Sequence, residues 1–251
     1  MFEMSASYRA LCSDFYVNQK VSLKLDLPRG REQTLELFER LRRQYPSMSH
    51  FRRYREELSL DTPPGESPHR WVAVRSNSIR SGVVNGDSLG DAYGLHRTVS
   101  EIAPYFLSVS PLDVDFVEML YGFDLSAGGN HDSIVASALL GGSPLGALAE
   151  IPGAGPIDCQ PVLGLALGGG GEYEAYFEVR TRPASGEDRE RERGEEPISV
   201  YLTVRRNGPF GDLGELPETI ATLAERGEEL IDSRVVPTLL VPIREAIVSG
   251  L

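Results

Sequence analysis

Six arginines fall within sixteen residues: Arg40, Arg42 and Arg43, then Arg52, Arg53 and Arg55. A guanidinium grips carboxylate or phosphate through a planar fork of donors, so a cluster of them is a candidate hold on an anionic partner. Lys20 and Lys24, the only lysines among 25 basic residues, fall on the polar side of the first predicted strand and are expected to join it. The candidate contact set is therefore Lys20, Lys24, Arg52, Arg53 and Arg55. Alternation along a strand puts Arg53 and Arg55 on one face and Arg52 on the other. A second account needs no partner: helix-terminal cations favoured by the macrodipole, with cross-strand pairs to Glu56 and Glu57.

Other chemistry-bearing residues form weaker patterns. Glu172, Glu174 and Glu178 with Tyr176 and Tyr201 line the wet side of a predicted hairpin, a place where paired carboxylates could act as acid and base. Residues two apart on a strand are neighbours by geometry alone, however, and Arg180 and Arg205 are at hand to neutralise them. His50, His69, His96 and His131 have no metal-ligand spacing. His96 falls on an apolar helical stripe, which points to a hydrogen-bonded core histidine. His131-Asp132-Ser133 holds triad residue types, but adjacent residues cannot form a triad by themselves, and Asn130 or Asp132 reads as a helix cap. The run Gly168–Gly171 leads into a strand rather than a helix, which excludes a phosphate loop and argues against a dinucleotide fold. No catalytic, cofactor-binding or metal site is assigned, and no cofactor is expected.

The elements that must carry these residues recur. Val17–Leu27 alternates Val17, Val21, Leu23, Leu25 and Leu27 against Asn18, Lys20, Ser22, Lys24 and Asp26, a half-buried strand ending in Asp-Leu. A second Asp-Leu ends Met119–Leu125, within a strand predicted over 113–125. A helix follows each: 31–45, with Leu35, Phe38, Leu41 and Tyr45 on one stripe and Pro46 ending it, and 131–149, interrupted by Gly141, Gly142 and Pro144. Strand pairs at about 49–61 and 70–80, then at 173–180 and 198–205, precede Asn85-Gly86 and Asn207-Gly208, which read as strand-to-helix turns. Helices over 88–107 and from Pro217 to about Ser233 close the two copies, and Pro237 and Pro242 kink or restart the last. The predicted fold is α+β: two tandem β-α-β-β-α units, residues 1–108 and 109–251, with antiparallel strands and helices on one face. Packing of the units into one pseudo-symmetric body is expected.

Charge divides unevenly between the units. The 251 residues carry a net −12; residues 1–108 hold 15 basic and 13 acidic groups, and residues 109–251 hold 10 and 24. The acidic balance disfavours nucleic acid as a partner. Hydrophobic content of 41% and charged content of 25% are those of an ordinary globular chain. The apolar windows at 134–151 and 235–248 are broken by Gly, Pro or charge and do not read as membrane spans. No signal peptide is read at the start. Cys12 and Cys159 are too few for a disulfide framework, so a cytoplasmic protein is expected. The charge-dense stretch 184–196 is expected to be the most mobile internal segment.

Three functions fit. The first is a non-catalytic binding or assembly protein that engages a protein partner or a second copy through its sheet face, charged tip or charge asymmetry. The second is a small-molecule binder or enzyme with a pocket between the units. The third is an acidic immunity-like or chaperone-like protein that masks a basic partner.

Overall fold

Strand β1 (Asp14–Leu23) alternates as its sequence demands, burying Phe15, Val17, Gln19, Val21 and Leu23 while Tyr16, Asn18 and Lys20 look the other way. Helix α1 (Arg31–Gln44) follows and buries Leu37, Phe38 and Leu41. Four short strands come next: β2 (His50–Tyr54), β3 (Glu57–Asp61), β4 (His69–Arg75) and β5 (Ser78–Val84), then helix α2 (Leu89–Phe106). The second half runs β6 (Val114–Leu125), α3 (His131–Leu140), β7 (Val162–Leu167), β8 (Tyr173–Arg180), β9 (Ile198–Asn207) and α4 (Glu215–Leu230). A π-helical segment (Ile231–Leu240) and α5 (Val241–Ser249) complete the chain. The computed structural model describes residues 8–27, 30–55, 57–168, 170–181 and 196–250. The expected mobile stretch 184–196 lies outside them except for Glu196.

The nine strands form one sheet in the order β2-β3-β4-β5-β1-β6-β9-β8-β7, antiparallel at every pairing. The fold is α+β with a large antiparallel sheet, as the alternation predicts. Counting outward from the middle, each half starts with its first strand (β1 or β6), beside its last (β5 or β9), and then runs backward through the chain. β1 and β6 pair along the whole of β1, from Asp14 opposite Asp124 to Leu23 opposite Val114. Helix α2 packs on β1 and β5, α4 packs on β6 and β9, and the two helices pack on each other. Tyr121 of β6 occupies the seam beneath them: its hydroxyl lies 3.0 Å from that of Tyr93 on α2. On α4, Gly227 leaves room for the Tyr121 ring, which a Cβ would strike.

Three expectations are corrected. The strand read at 49–61 is a hairpin, turned at Arg55, whose φ of 51° is left-handed. The strand read at 70–80 is likewise a hairpin, β4 to β5, with Arg75 opposite Ser78. Helix 131–149 stops at Leu140, where Gly141 takes an extended ψ of 131°, and a 3-10 turn covers Gly146–Glu150. At the C-terminus the two prolines stand where the helix changes: at Pro237 it is π-helical, and an α-helix restarts at Val241 with Pro242 in its first turn. Pro237 has no N–H to give, and the wider turns of the π-helical segment absorb the misfit. Ile231, Val235 and Leu240 stay buried through that stretch, spaced by four and five residues to match the wider turn.

One polar relay crosses the core. The Ser81 hydroxyl lies 2.9 Å from Gln19 Oε1 and 2.8 Å from His96 Nδ1, and all three residues are buried between the sheet and α2. Among the described residues the Nε2 atoms of Gln19 and His96 have no hydrogen-bond partner. Burial drives the His96 imidazole down to about 3, opposed only by the backbone of Val17. A group held neutral in the fold but titrating near 6.5 when unfolded withdraws stability as pH falls from 6.5 toward 3, and is without cost above that window. Between pH 6.5 and 4 the unfolding free energy of His96→Gln should therefore fall less than that of the wild type in urea titrations. Equal slopes would show that His96 takes no part.

Candidate functional site: the open face of the sheet

The helices take one face of the sheet, so the other must satisfy its polar groups by itself. Pairing register lines up its side chains in rows that run across the strands. One row is Arg80, Lys20, Glu118, Arg205 and Glu174, from β5, β1, β6, β9 and β8. Lys20 approaches Glu118 at 3.8 Å. Arg205 donates to Glu118 from Nη2 at 2.7 Å and from Nε at 3.0 Å, and stands 3.9 Å from Glu174. From Lys20 to Glu174 the row alternates in sign, with Arg80 beside Lys20 as the exception, and each carboxylate sits between or beside cations. Opposite charges directly across strands stabilise by up to about 1 kcal/mol a pair.

The neighbouring rows are aromatic. Arg205 lies 4.0 Å from the centre of the Phe116 ring and 5.3 Å from Tyr176, and Lys20 covers the same Phe116 ring at 4.8 Å. Arg80 stacks on Trp71 at 5.6 Å and Arg180 on Tyr201 at 5.9 Å. Tyr201 is tilted against Tyr16, with ring centres 6.3 Å apart. Three rings lie down because the residue opposite is glycine: Tyr16 covers Gly122, Trp71 covers Gly82 and Tyr176 covers Gly164, where a Cβ would collide with the ring. Flat rings over glycines restore the apolar cover the missing side chains forgo, and leave π-faces and ring edges on the surface.

At one end of this face Asp124 accepts from Ser199 at 2.7 Å and from Tyr16 at 3.3 Å. Burial holds its carboxyl above the usual range despite those two donors, and Asp14, directly opposite, adds to the effect. The expected carboxylate row is paired internally: Glu178 with Arg180 at 2.7 Å, Glu172 with Arg206 at 2.8 Å, and Glu174 with the Tyr176 hydroxyl at 2.8 Å.

The candidate cations do not gather in one place. Arg52 lies on the open face and pairs with Asp61. Arg53 is exposed on the edge strand β2, and Arg55 has left that strand for the turn, its guanidinium 5.2 Å from the Tyr54 ring. Lys20 belongs to the middle of the sheet and Lys24 lies just past the end of β1, where it reaches the Leu112 carbonyl at 3.3 Å. Three strands separate β2 from β1, about 19 Å at the usual spacing, so lysines and arginines form two groups, not one patch. Glu56 lies outside the described residues; Glu57 pairs with Arg75 and Arg80. Asn130 caps α3, accepting from Ser133 N, while Asp132 holds Cys159 N at 2.9 Å and the Thr181 hydroxyl at 2.6 Å. Among the described residues no three His, Cys, Asp or Glu side chains are grouped to hold a metal ion, and no helix is long and apolar enough to cross a membrane. Trp71, Phe116 and Tyr16 are the site residues that sequence reading missed; the signal was the pairing of each ring with a glycine or a cation across strands, which appears only once register is known.

No protein-family model matches the chain, and no curated protein matches it in sequence. Among solved structures, one described as "Crystal structure of the di-domain ARO/CYC BexL from the BE-7585A biosynthetic pathway" is 12% identical over 76% of this chain and 75% of that chain, at a TM-score of 0.20. A likeness of that size carries no argument about fold or function.

The ring-on-glycine arrangement is testable by a double-mutant cycle. Gly122→Ala should cost about 1–3 kcal/mol by overpacking. The same change made in a Tyr16→Ala background should cost markedly less, because the ring it strikes is gone. Additive losses in chemical denaturation would mean that Tyr16 does not lie on Gly122 in solution.

Proposed function

We propose that this chain is a non-catalytic binding protein that presents the open face of its sheet to a protein partner. The observation that carries the reading is the composition of that face. Trp71, Tyr16, Tyr176 and Tyr201 with stacked arginines Arg80, Arg180 and Arg205 are the residue types that dominate protein interfaces, where rigid rings and guanidinium groups give large contact area at low entropic cost. The paired charges suit a polar rim. The Gln19–Ser81–His96 relay, which has the residue types of a nucleophilic site, is buried beneath α2 and out of reach of a substrate. The backward winding of both halves also supports their reading as an internal pseudo-duplication, units 1–108 and 109–251, joined as one body.

A photo-crosslinking residue in place of Tyr176 or Tyr201 should capture a protein from cells that make this chain. The same residue in place of Arg97, exposed on the outer side of α2, should not. Capture from α2 alone, or from both faces equally, would overturn the assignment of the open face. Stabilisation of the purified chain by a small metabolite, by roughly 2.7 kcal/mol at a hundredfold excess over its Kd, would favour a ligand-binding function instead.

A further inference from the structure

With the lysines set apart, the arginines remain as a group of their own. Residues 40–55 carry six arginines and no carboxylate, in a chain of net charge −12. Arg42 is met by Glu39 and Arg52 by Asp61, yet the Arg52 side chain stays 54% exposed. Arg40 and Arg43 are exposed on α1, and Arg53 on β2. Among the described residues no carboxylate pairs with any of these three. Unpaired cations at one edge of an acidic molecule have a natural complement in carboxylates brought by another chain.

Register gives the same edge a row of outward backbone groups. Tyr54 stands opposite Glu57 across a two-residue turn. The pair that closes such a hairpin exchanges both backbone bonds, and bonded and non-bonded pairs alternate from there. His50, Arg52 and Tyr54 are therefore bonded to β3, while Phe51 and Arg53 turn their N–H and C=O groups outward. Among the described residues no strand lies beyond β2. Phe51 and Arg53 place their side chains on the helix side, where Phe51 meets Phe38 with ring centres 6.0 Å apart. Arg52 and Tyr54 place theirs on the open side. Phe51 is 43% exposed and Tyr54 54%, so an added strand meets one ring and one cation on each of its faces.

We infer that β2 receives an extended acidic segment of a partner protein, which adds to the sheet as a further strand with carboxylates opposite Arg52 and Arg53. Charge selects this occupant. Arginines on an edge turn away a basic strand, and they turn away β2 of a second copy, because like charges directly opposite repel. Successive residues of the added strand point to opposite faces. Two consecutive carboxylates thus reach Arg52 on the open side and Arg53 on the helix side, where each guanidinium can offer two donors. Main-chain bonds to Phe51 and Arg53 supply affinity, and the paired charges supply the choice, as in other additions of a strand to a sheet edge. The inference stands apart from whatever the open face binds.

The probe is a fluorescein-labelled peptide, Thr-Glu-Val-Glu-Glu-Val-Glu-Thr, titrated with the intact protein and followed by anisotropy. It should bind at low salt and lose about tenfold or more in affinity at high salt, because the charge contacts are screened. On binding, the amides of Phe51 and Arg53 should gain protection from exchange, while those of Arg52 and Tyr54 are protected throughout. Arg53→Glu should weaken binding about tenfold or more with the melting temperature held within a few degrees, since a solvated charge contributes little to stability. Arg234→Glu, at an exposed arginine of the π-helical segment, should leave binding unchanged. The same peptide with both Val replaced by Pro keeps its charge but cannot pair as a strand, and it should bind markedly more weakly. No binding at low salt, binding that survives Arg53→Glu, or equal loss in Arg234→Glu would overturn the inference. Equal binding of the proline peptide, or unchanged exchange at Phe51 and Arg53, would overturn it too. Tighter binding of inorganic polyphosphate with no β2 amide protected would replace it with an anion site that needs no strand.

Discussion

The pairing of β1 with β6 is the constraint on which the rest of the structure depends. It runs the full length of β1 and is the place where two modest sheets become one of nine strands. Its inner face is sealed by Phe15 against Phe123, ring centres 5.0 Å apart, with Tyr8 packed on both. Tyr8 in turn donates to Asp232 at 2.6 Å, so the start of the described chain is fastened to the π-helical segment near its end. The seam where a pocket between the halves is expected holds Tyr121, Tyr93 and Gly227 in contact.

The same seam joins halves of unequal charge. Residues 1–108 are slightly basic and residues 109–251 strongly acidic, an asymmetry that suggests attraction between separate molecules. Across the sheet it is met inside one molecule, where Lys20 of the first half faces Glu118 of the second. Glu118 is shared with Arg205, so the central carboxylate of the open face is held from both sides. Partly exposed pairs contribute little singly. Their collective effect here is to fix the rotamers of Arg205 and Lys20 over the Phe116 ring, which gives the face a definite shape.

How far the sequence could be read follows from the range of the forces involved. Period two was legible in β1, β8 and β9 because one face of each is buried, and the first two long helices were legible from their stripes. The hairpin inside 49–61 was hidden because its turn lacks the usual markers: Arg55 adopts a left-handed φ without being glycine. The turn inside 70–80 does carry a marker, Ser76-Asn77, which the sequence reading passed over. Strand β7 was missed because an unbroken apolar run has no alternation to show. Gln19 and Ser81 sit at positions where the pattern asks for apolar residues, and what admits them is His96, 15 residues from Ser81 in the chain. The rows of the open face are longer in range still, since Trp71, Tyr16 and Tyr201 become neighbours only through the strand order.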